Sequence, residues 1–165
     1  MGNGIRTGVL TISTKGAAGL RDDESGDTVQ RMLEEQGFKV VRRHIIPDQL
    51  QEIADILMAW VDEEDIALIV TSGGTGLSPT DVTPQAMERV IDYPVPGMAE
   101  AMRAESLKKT PHAMISRAMV GVRKASLIIN LPGSPKGADE NLSVVLPALG
   151  HGLAKLWGDP SDCAS

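Results

Sequence analysis

The chain predicts a doubly wound α/β domain: a mostly parallel sheet with helices on both faces, in three α/β/α layers. Three observations carry this. Apolar, β-rich segments alternate with helical stripes through the first half of the chain. The run Leu127-Ile128-Ile129 has the two-sided apolarity of a strand buried at the centre of a sheet. Small-residue loops rich in glycine follow directly on predicted strands, as in open α/β sheets whose ligands sit at the carboxyl ends of the strands.

Taken in order, Gly8 to Ile12 reads as the first strand. Val29, Met32 and Leu33, closed by Gly37, mark a helix, and Lys39 to Ile46 is the second strand. Ile53, Ile56, Leu57, Trp60 and Val61 recur at helical spacing, so a second helix leads to the third strand, Ile66 to Thr71. This β-α-β-α-β order requires right-handed crossovers and a parallel core. Ser126 to Leu131 is the fourth strand, and Ala118 to Arg123 is placed to pair with it as a hairpin across Lys124-Ala125. Leu142, Val145, Leu146, Leu149, Leu153, Leu156 and Trp157 form a packing stripe on a last helical segment, where Pro147 predicts a kink or a break into two helices. Met98, Met102, Met114 and Met119 read as gap-filling core or subunit-contact residues.

Residues 1–165 are expected to form a single domain, with an ordered core over about 5–157 and fraying ends at Met1 to Gly4 and Asp159 to Ser165. A net charge of −6, with 22 acidic against 16 basic residues, and an aromatic content of 2 % argue against a nucleic-acid partner, because charge and stacking surface are both lacking. No apolar run has the roughly 18 residues a membrane span needs, and Met1 to Arg6 lacks a signal-peptide layout, so a cytoplasmic location is expected. The single cysteine, Cys163, cannot form an internal disulfide.

Chemistry concentrates in Thr71-Ser72-Gly73-Gly74-Thr75-Gly76-Leu77-Ser78-Pro79-Thr80-Asp81-Val82-Thr83-Pro84. Glycines let backbone N–H groups approach an anion, and a helix opening at Thr83 with Pro84 at its start adds a positive dipole end. The loop is neither a Walker A loop, which needs a lysine, nor a dinucleotide G-x-G-x-x-G. A plain strand-to-helix turn is the simpler alternative. Asp81 would repel an anion unless a divalent cation lies between them, and this points to nucleotide chemistry with magnesium. Ser13, Thr14 and Lys15 follow the first strand, Pro47 and Asp48 the second, and Pro132-Gly133-Ser134-Pro135-Lys136-Gly137 the last, so four loops should converge on one sheet edge. The last of these offers a second phosphate site through Ser134 and Lys136, and Ser116-Arg117 adds a hydroxyl and a guanidinium. Among the histidines, His112 is best placed to line a site; no pair has metal-ligand spacing, and no nucleophile triad is evident.

The chain closely resembles the bacterial molybdopterin adenylyltransferases, the MogA/MoaB-like proteins of molybdenum cofactor biosynthesis, from about Ile5 to Leu156. The resemblance rests on Thr71 to Gly76 with Asp81-Val82-Thr83-Pro84, on Thr110-Pro111-His112-Ala113-Met114-Ile115-Ser116-Arg117, and on Leu127 to Pro135. It implies AMP transfer from ATP to the terminal phosphate of molybdopterin with release of pyrophosphate. It also implies Asp48 and Asp81 as catalytic and magnesium-placing residues, and Ser13, Ser72, Gly73, Gly74, Thr75 and Gly76 around the nucleotide phosphates. Ser116, Arg117, Pro132, Gly133, Ser134 and Lys136 would then hold molybdopterin. A homotrimer, with a hexamer as the alternative, and contact with a downstream metal-insertion protein are further implications. Thr14 and Thr80 depart from the family pattern, which often has an acidic residue and an arginine there. A non-catalytic molybdopterin-binding or scaffold role is the competing reading.

Overall fold

In the computed structural model, which describes residues 2–163, one six-stranded sheet is formed by β1 (Arg6–Ile12), β2 (Lys39–Ile46), β3 (Leu68–Ser72), β4 (Tyr93–Pro94), β5 (Val120–Arg123) and β6 (Ser126–Leu131). Its order is β2-β1-β3-β6-β5-β4. The pairs β1–β2, β1–β3 and β3–β6 are parallel, whereas β5 runs antiparallel to both β6 and β4. The expected hairpin is therefore present, with Lys124 at its tip in the left-handed region (φ 51°).

Alternation along each central strand divides the core in two. Val9, Val70 and Ile129 pack with α2 (Glu24–Glu35) and α6 (Pro135–Leu156) on one face. Leu10, Ile69 and Ile128 pack with α3 (Leu50–Asp62) and α4 (Thr83–Val90) on the other. The predicted stripe Ile53, Leu57, Trp60 and Val61 is buried on α3, and Val29, Met32 and Leu33 are buried on α2. The three-layer α/β/α arrangement follows from these two separate apolar clusters on one sheet.

Four features differ from expectation or go beyond it. The four-residue α1 (Thr14–Ala17), the two-residue β4, the helix α5 (Pro96–Leu107) and the 3₁₀ turn Pro111–Ile115 have no counterpart in the sequence reading. Of the kink or break expected at Pro147, the break does not occur, and α6 runs on as one helix. Pro147 cannot bond the carbonyl of Ser143, but both residues are exposed, so water can satisfy that oxygen at little cost. Of the methionines, Met102 is fully buried and Met98 and Met119 border the core, whereas Met114 is 68 % exposed. Trp157, expected in the packing stripe, caps α6 at the surface and donates its indole N–H to the Ala125 carbonyl at 3.0 Å.

One ion-pair cluster ties the far end of the sheet to the helical layer. Arg123 forks onto Asp62, Nε to Oδ1 at 3.0 Å and Nη2 to Oδ2 at 2.6 Å, while its Nη1 donates to the Val90 carbonyl at 2.8 Å. The Arg123 hydrogen bond, followed by that of Lys124, lowers the Asp62 pKa to about 2. A carboxylate with a depressed folded pKa stabilises above its unfolded value and loses that contribution as pH falls through the folded one. Asp62→Asn is therefore expected to cost about 1 kcal/mol at neutral pH, the upper end for a partly exposed pair. In urea titrations the gap to wild type should hold from pH 7 to pH 5 and narrow between about pH 4 and pH 2. A gap that widens on acidification would refute the pairing.

Candidate active site

Because β1 lies between β2 and β3 in the sheet, the chain leaves β1 and β3 in opposite senses, and a crevice opens beyond their carboxyl ends. A cavity of about 630 Å³ occupies that place. It is walled by Ser13 after β1, Asp48 after β2, Ser72 at the end of β3 with Gly73, Gly74 and Asp81 after it, and Gly133 and Ser134 after β6. The convergence of four loops expected from the sequence is thus realised.

Two glycines shape the third loop. Gly73 has φ +103° and Gly74 φ +67°, conformations that L side chains rarely adopt. A Cβ on Gly73 would overlap the Ile12 carbonyl oxygen, and one on Gly74 would overlap the Thr83 hydroxyl. Thr83, fully buried at the start of α4, braces the turn by donating its hydroxyl to the Gly73 carbonyl at 2.9 Å and its N–H to the Gly74 carbonyl at 3.1 Å. The loop backbone is therefore fixed from below with its upper surface open.

Each of the two aspartates is held through one carboxylate oxygen, Asp48 by two donors and Asp81 by one. Asp48 Oδ2 accepts from the Thr14 N–H at 3.0 Å and the Thr14 hydroxyl at 2.8 Å. Asp81 Oδ2 accepts from the Ser78 N–H at 3.0 Å. Among the described residues, no protein donor reaches Oδ1 of either. Asp48 Oδ1 faces the loop, since a Cβ on Gly74 would sit 3.2 Å from it. The same cavity is lined by Asp22, Asp23 and Glu24 against Arg21, the one Arg or Lys in its wall among the described residues. Of these, Asp23 is already engaged: Oδ1 accepts from Thr11 and from the Gly26 N–H that starts α2, and Oδ2 pairs with Arg43 at 3.0 Å. Sequence reading missed this acidic segment because a polar run after a strand looks like solvated surface. Its one local signal is the N-cap spacing of Asp23 to Gly26.

A second cavity of about 310 Å³ lies on the other side of the loop. Thr75, Gly76, Ser116, Pro132 and Ser134 line it, together with Arg103, His112, Glu140 and Asn141. Ser134 borders both cavities, so the Gly73 to Gly76 loop and the Ser134 turn form a wall between them. Ser134 also caps α6, accepting the Gly137 N–H at 3.0 Å. Arg117 borders neither cavity: its Nε donates to the Gly76 carbonyl and its Nη2 to the Asp81 carbonyl, each at 2.8 Å, so the guanidinium clamps the loop ends together. Lys136 is highly exposed and lies 4.0 Å from Glu140, outside both walls. His112 and Asn141 enter the site from the 3₁₀ turn and α6; of the two, only His112 stood out in the sequence.

An α/β domain with a braced glycine loop at its switch point, and two carboxylates lining the same cavity, has the architecture of the phosphate-binding α/β folds. The comparisons narrow the class: residues 8–151 match the family described as "Probable molybdopterin binding domain", and the chain belongs to that family. It is 39 % identical over 157 residues to a molybdopterin adenylyltransferase of Helicobacter pylori, covering 94 % of this chain and 89 % of that protein. It is 38 % identical to the molybdopterin adenylyltransferase of Escherichia coli, over 90 % of this chain and 77 % of that one. Among solved structures, the molybdopterin biosynthesis enzyme MoaB of Thermus thermophilus superposes with a TM-score of 0.89 at 46 % identity, covering 96 % of this chain and 99 % of that one. Among the described residues no helix is long and apolar enough to cross a membrane.

Proposed function

We propose that this protein adenylylates molybdopterin in molybdenum cofactor biosynthesis, moving AMP from ATP to the terminal phosphate of molybdopterin and releasing pyrophosphate. The observation that carries the reading is the wall: one glycine loop separates two cavities, and Asp48 and Asp81, each with one oxygen that no protein donor reaches among the described residues, line the larger. Two adjoining pockets that share a strip of small residues suit a reaction joining two phosphorylated ligands, because each ligand has its own pocket and both phosphates can meet at the strip. The naming of relatives 38–39 % identical as molybdopterin adenylyltransferases supports it.

In this reading ATP occupies the larger cavity, with its phosphates along Ser13, Ser72, Gly73 and Gly74 and reaching the wall at Thr75 and Gly76, which line the smaller cavity. The pterin occupies the smaller one, against Ser116, Pro132 and Ser134, with Gly133 behind them on the larger cavity's side and Lys136 near its mouth beside Glu140. Arg117 contributes by holding the loop closed. The transferred group passes across the wall: an oxygen of the molybdopterin phosphate attacks the α-phosphorus of ATP, the bond to the β-phosphate oxygen breaks, and pyrophosphate leaves with the electron pair. Such transfer depends mainly on in-line positioning and charge neutralisation.

The donor set fits magnesium. Two carboxylate oxygens without protein donors suit a hard cation that takes its other ligands from phosphates and water, and among the described residues no cluster of three or more ligating side chains forms a self-sufficient cage. Asp48 and Asp81 would hold it, and when bound it would supply neutralisation of charge on the α-phosphate. The reading extends to a cytoplasmic homotrimer that passes its product to a metal-insertion protein. Exposed Leu107, Met114 and Ile115, on adjoining elements beside the smaller cavity, support burial against another copy.

The test is magnesium-dependent pyrophosphate release from ATP, with and without purified molybdopterin. Release that requires molybdopterin is expected. Tight binding of molybdopterin with no pyrophosphate would replace the enzyme by a binding or scaffold protein.

A further inference from the structure

Asp48 sits on a turn after β2 and, among the described residues, makes no ion pair, yet its carboxylate has to present one oxygen to the Gly73 to Gly76 loop. We propose that Thr14 is the positioning residue that sets this orientation; the inference rests on the function proposed above. Thr14 and Asp48 close a reciprocal ring of hydrogen bonds. The Thr14 hydroxyl donates to Asp48 Oδ2 at 2.8 Å and accepts the Asp48 N–H at 3.1 Å, and the Thr14 N–H donates to the same Oδ2 at 3.0 Å. The single hydroxyl proton and a lone pair are both used on one partner, so the side chain has little left to offer water or ligand.

The geometry explains why two bonds to Oδ2 are needed. One N–H alone leaves the carboxylate free to swing about that contact. Two donors converging on Oδ2 fix the plane and leave Oδ1 towards Gly74. Thr14 is itself held, because the Ser13 N–H donates to the Ile46 carbonyl at 2.8 Å and the Ser13 hydroxyl accepts the Gly16 N–H at 3.0 Å, pinning the end of β1 to the end of β2. Ile12 pairs with Ile46 in the sheet, so the turn carrying Asp48 and the turn carrying Thr14 leave adjacent strands at the same level. A carboxylate in place of Thr14 could accept a bond but could not donate one to Asp48, so the ring depends on the hydroxyl.

Three variants separate positioning from bulk. Thr14→Ala removes the hydroxyl, Thr14→Val keeps the branched shape without it, and Thr14→Ser keeps the hydroxyl alone. Molybdopterin-dependent pyrophosphate release is expected to fall about tenfold in kcat for the first two, with KM for ATP changed less than threefold, and to stay within about twofold of wild type for the serine variant. Melting temperatures should stay close to wild type in all three, because Thr14 is exposed. A second readout needs no turnover: in crystals of Thr14→Val, the Asp48 carboxylate should rotate so that Oδ1 no longer faces Gly74. Wild-type kcat in Thr14→Val, or a serine variant as impaired as alanine, overturns the inference. Should the wild type itself release no pyrophosphate, the functional reading fails, and the Asp48 orientation in the Thr14→Val crystal decides the positioning role alone: an unchanged carboxylate overturns it and a rotated one supports it.

Discussion

Asp81→Ala will lower molybdopterin-dependent pyrophosphate release at least about a hundredfold, equivalent to roughly 2.7 kcal/mol of transition-state stabilisation. The size follows from position. Asp81 is half-buried on the wall of the larger cavity, with Oδ2 accepting from the Ser78 N–H and its backbone carbonyl clamped by Arg117, so its charge is kept beside the glycine loop. Preorganised charge of this kind is lost completely on truncation, since no other side chain in the loop can take its place. Folding should be little affected: the one hydrogen bond lost is local and exposed, and the Arg117 clamp uses the main chain, which alanine retains. Steady-state assays beside a thermal melt make the comparison. Turnover within threefold of wild type would remove Asp81 from the chemistry.

Gly73→Ala is the second large effect, and it strikes the fold and the site together. A residue with a side chain at φ +103° carries a backbone penalty of about 1–3 kcal/mol. The added methyl also has to displace the Ile12 carbonyl at the end of β1, which is main chain and cannot step aside as a flexible side chain would. The expected result is a melting temperature lower by about 10 °C, from a loss of about 3 kcal/mol in a domain of this size, and turnover reduced more than tenfold. Gly97→Ala is the control: it lies in α5 with open space where the added methyl would sit, and it should be neutral or slightly stabilising. Gly73→Ala melting within 2 °C of wild type would show that the turn is slack, against the bracing described for Thr83.

How far these features could be read from the chain depends on whether local pattern or tertiary placement determines them. Lys39–Ile46 and Ser126–Leu131 have the bounds read from the sequence, because turn residues flank both: Gly37 and Pro47 around the first, Lys124-Ala125 and Pro132 around the second. Helix α3 is equally plain, its stripe recurring over two turns. Helix α5 escapes notice because it buries only Ala99 and Met102, too thin a stripe for periodicity to reveal. Strand β4 exists only because β5 is there to pair with it. In the site, the glycine loop and both aspartates stand out from residue type and spacing. The roles of Arg117 and Thr14 do not: the one clamps carbonyls 36 and 41 residues away, and the other closes a ring with a residue 34 positions on. Such contacts are properties of the assembled sheet edge, and no local pattern encodes them.

The shared wall has a consequence for what happens after the chemical step. Under the proposed division, each substrate is held on its own side by its own contacts and can leave on its own. Once the bond across the strip forms, the product is a bivalent ligand whose two halves are tethered at very high effective concentration. Either end can let go and be recaptured before the other does. The protein is then strongest as a holder of what it makes. Retention by tethering would shield a reactive intermediate until another protein loosens one of the two grips.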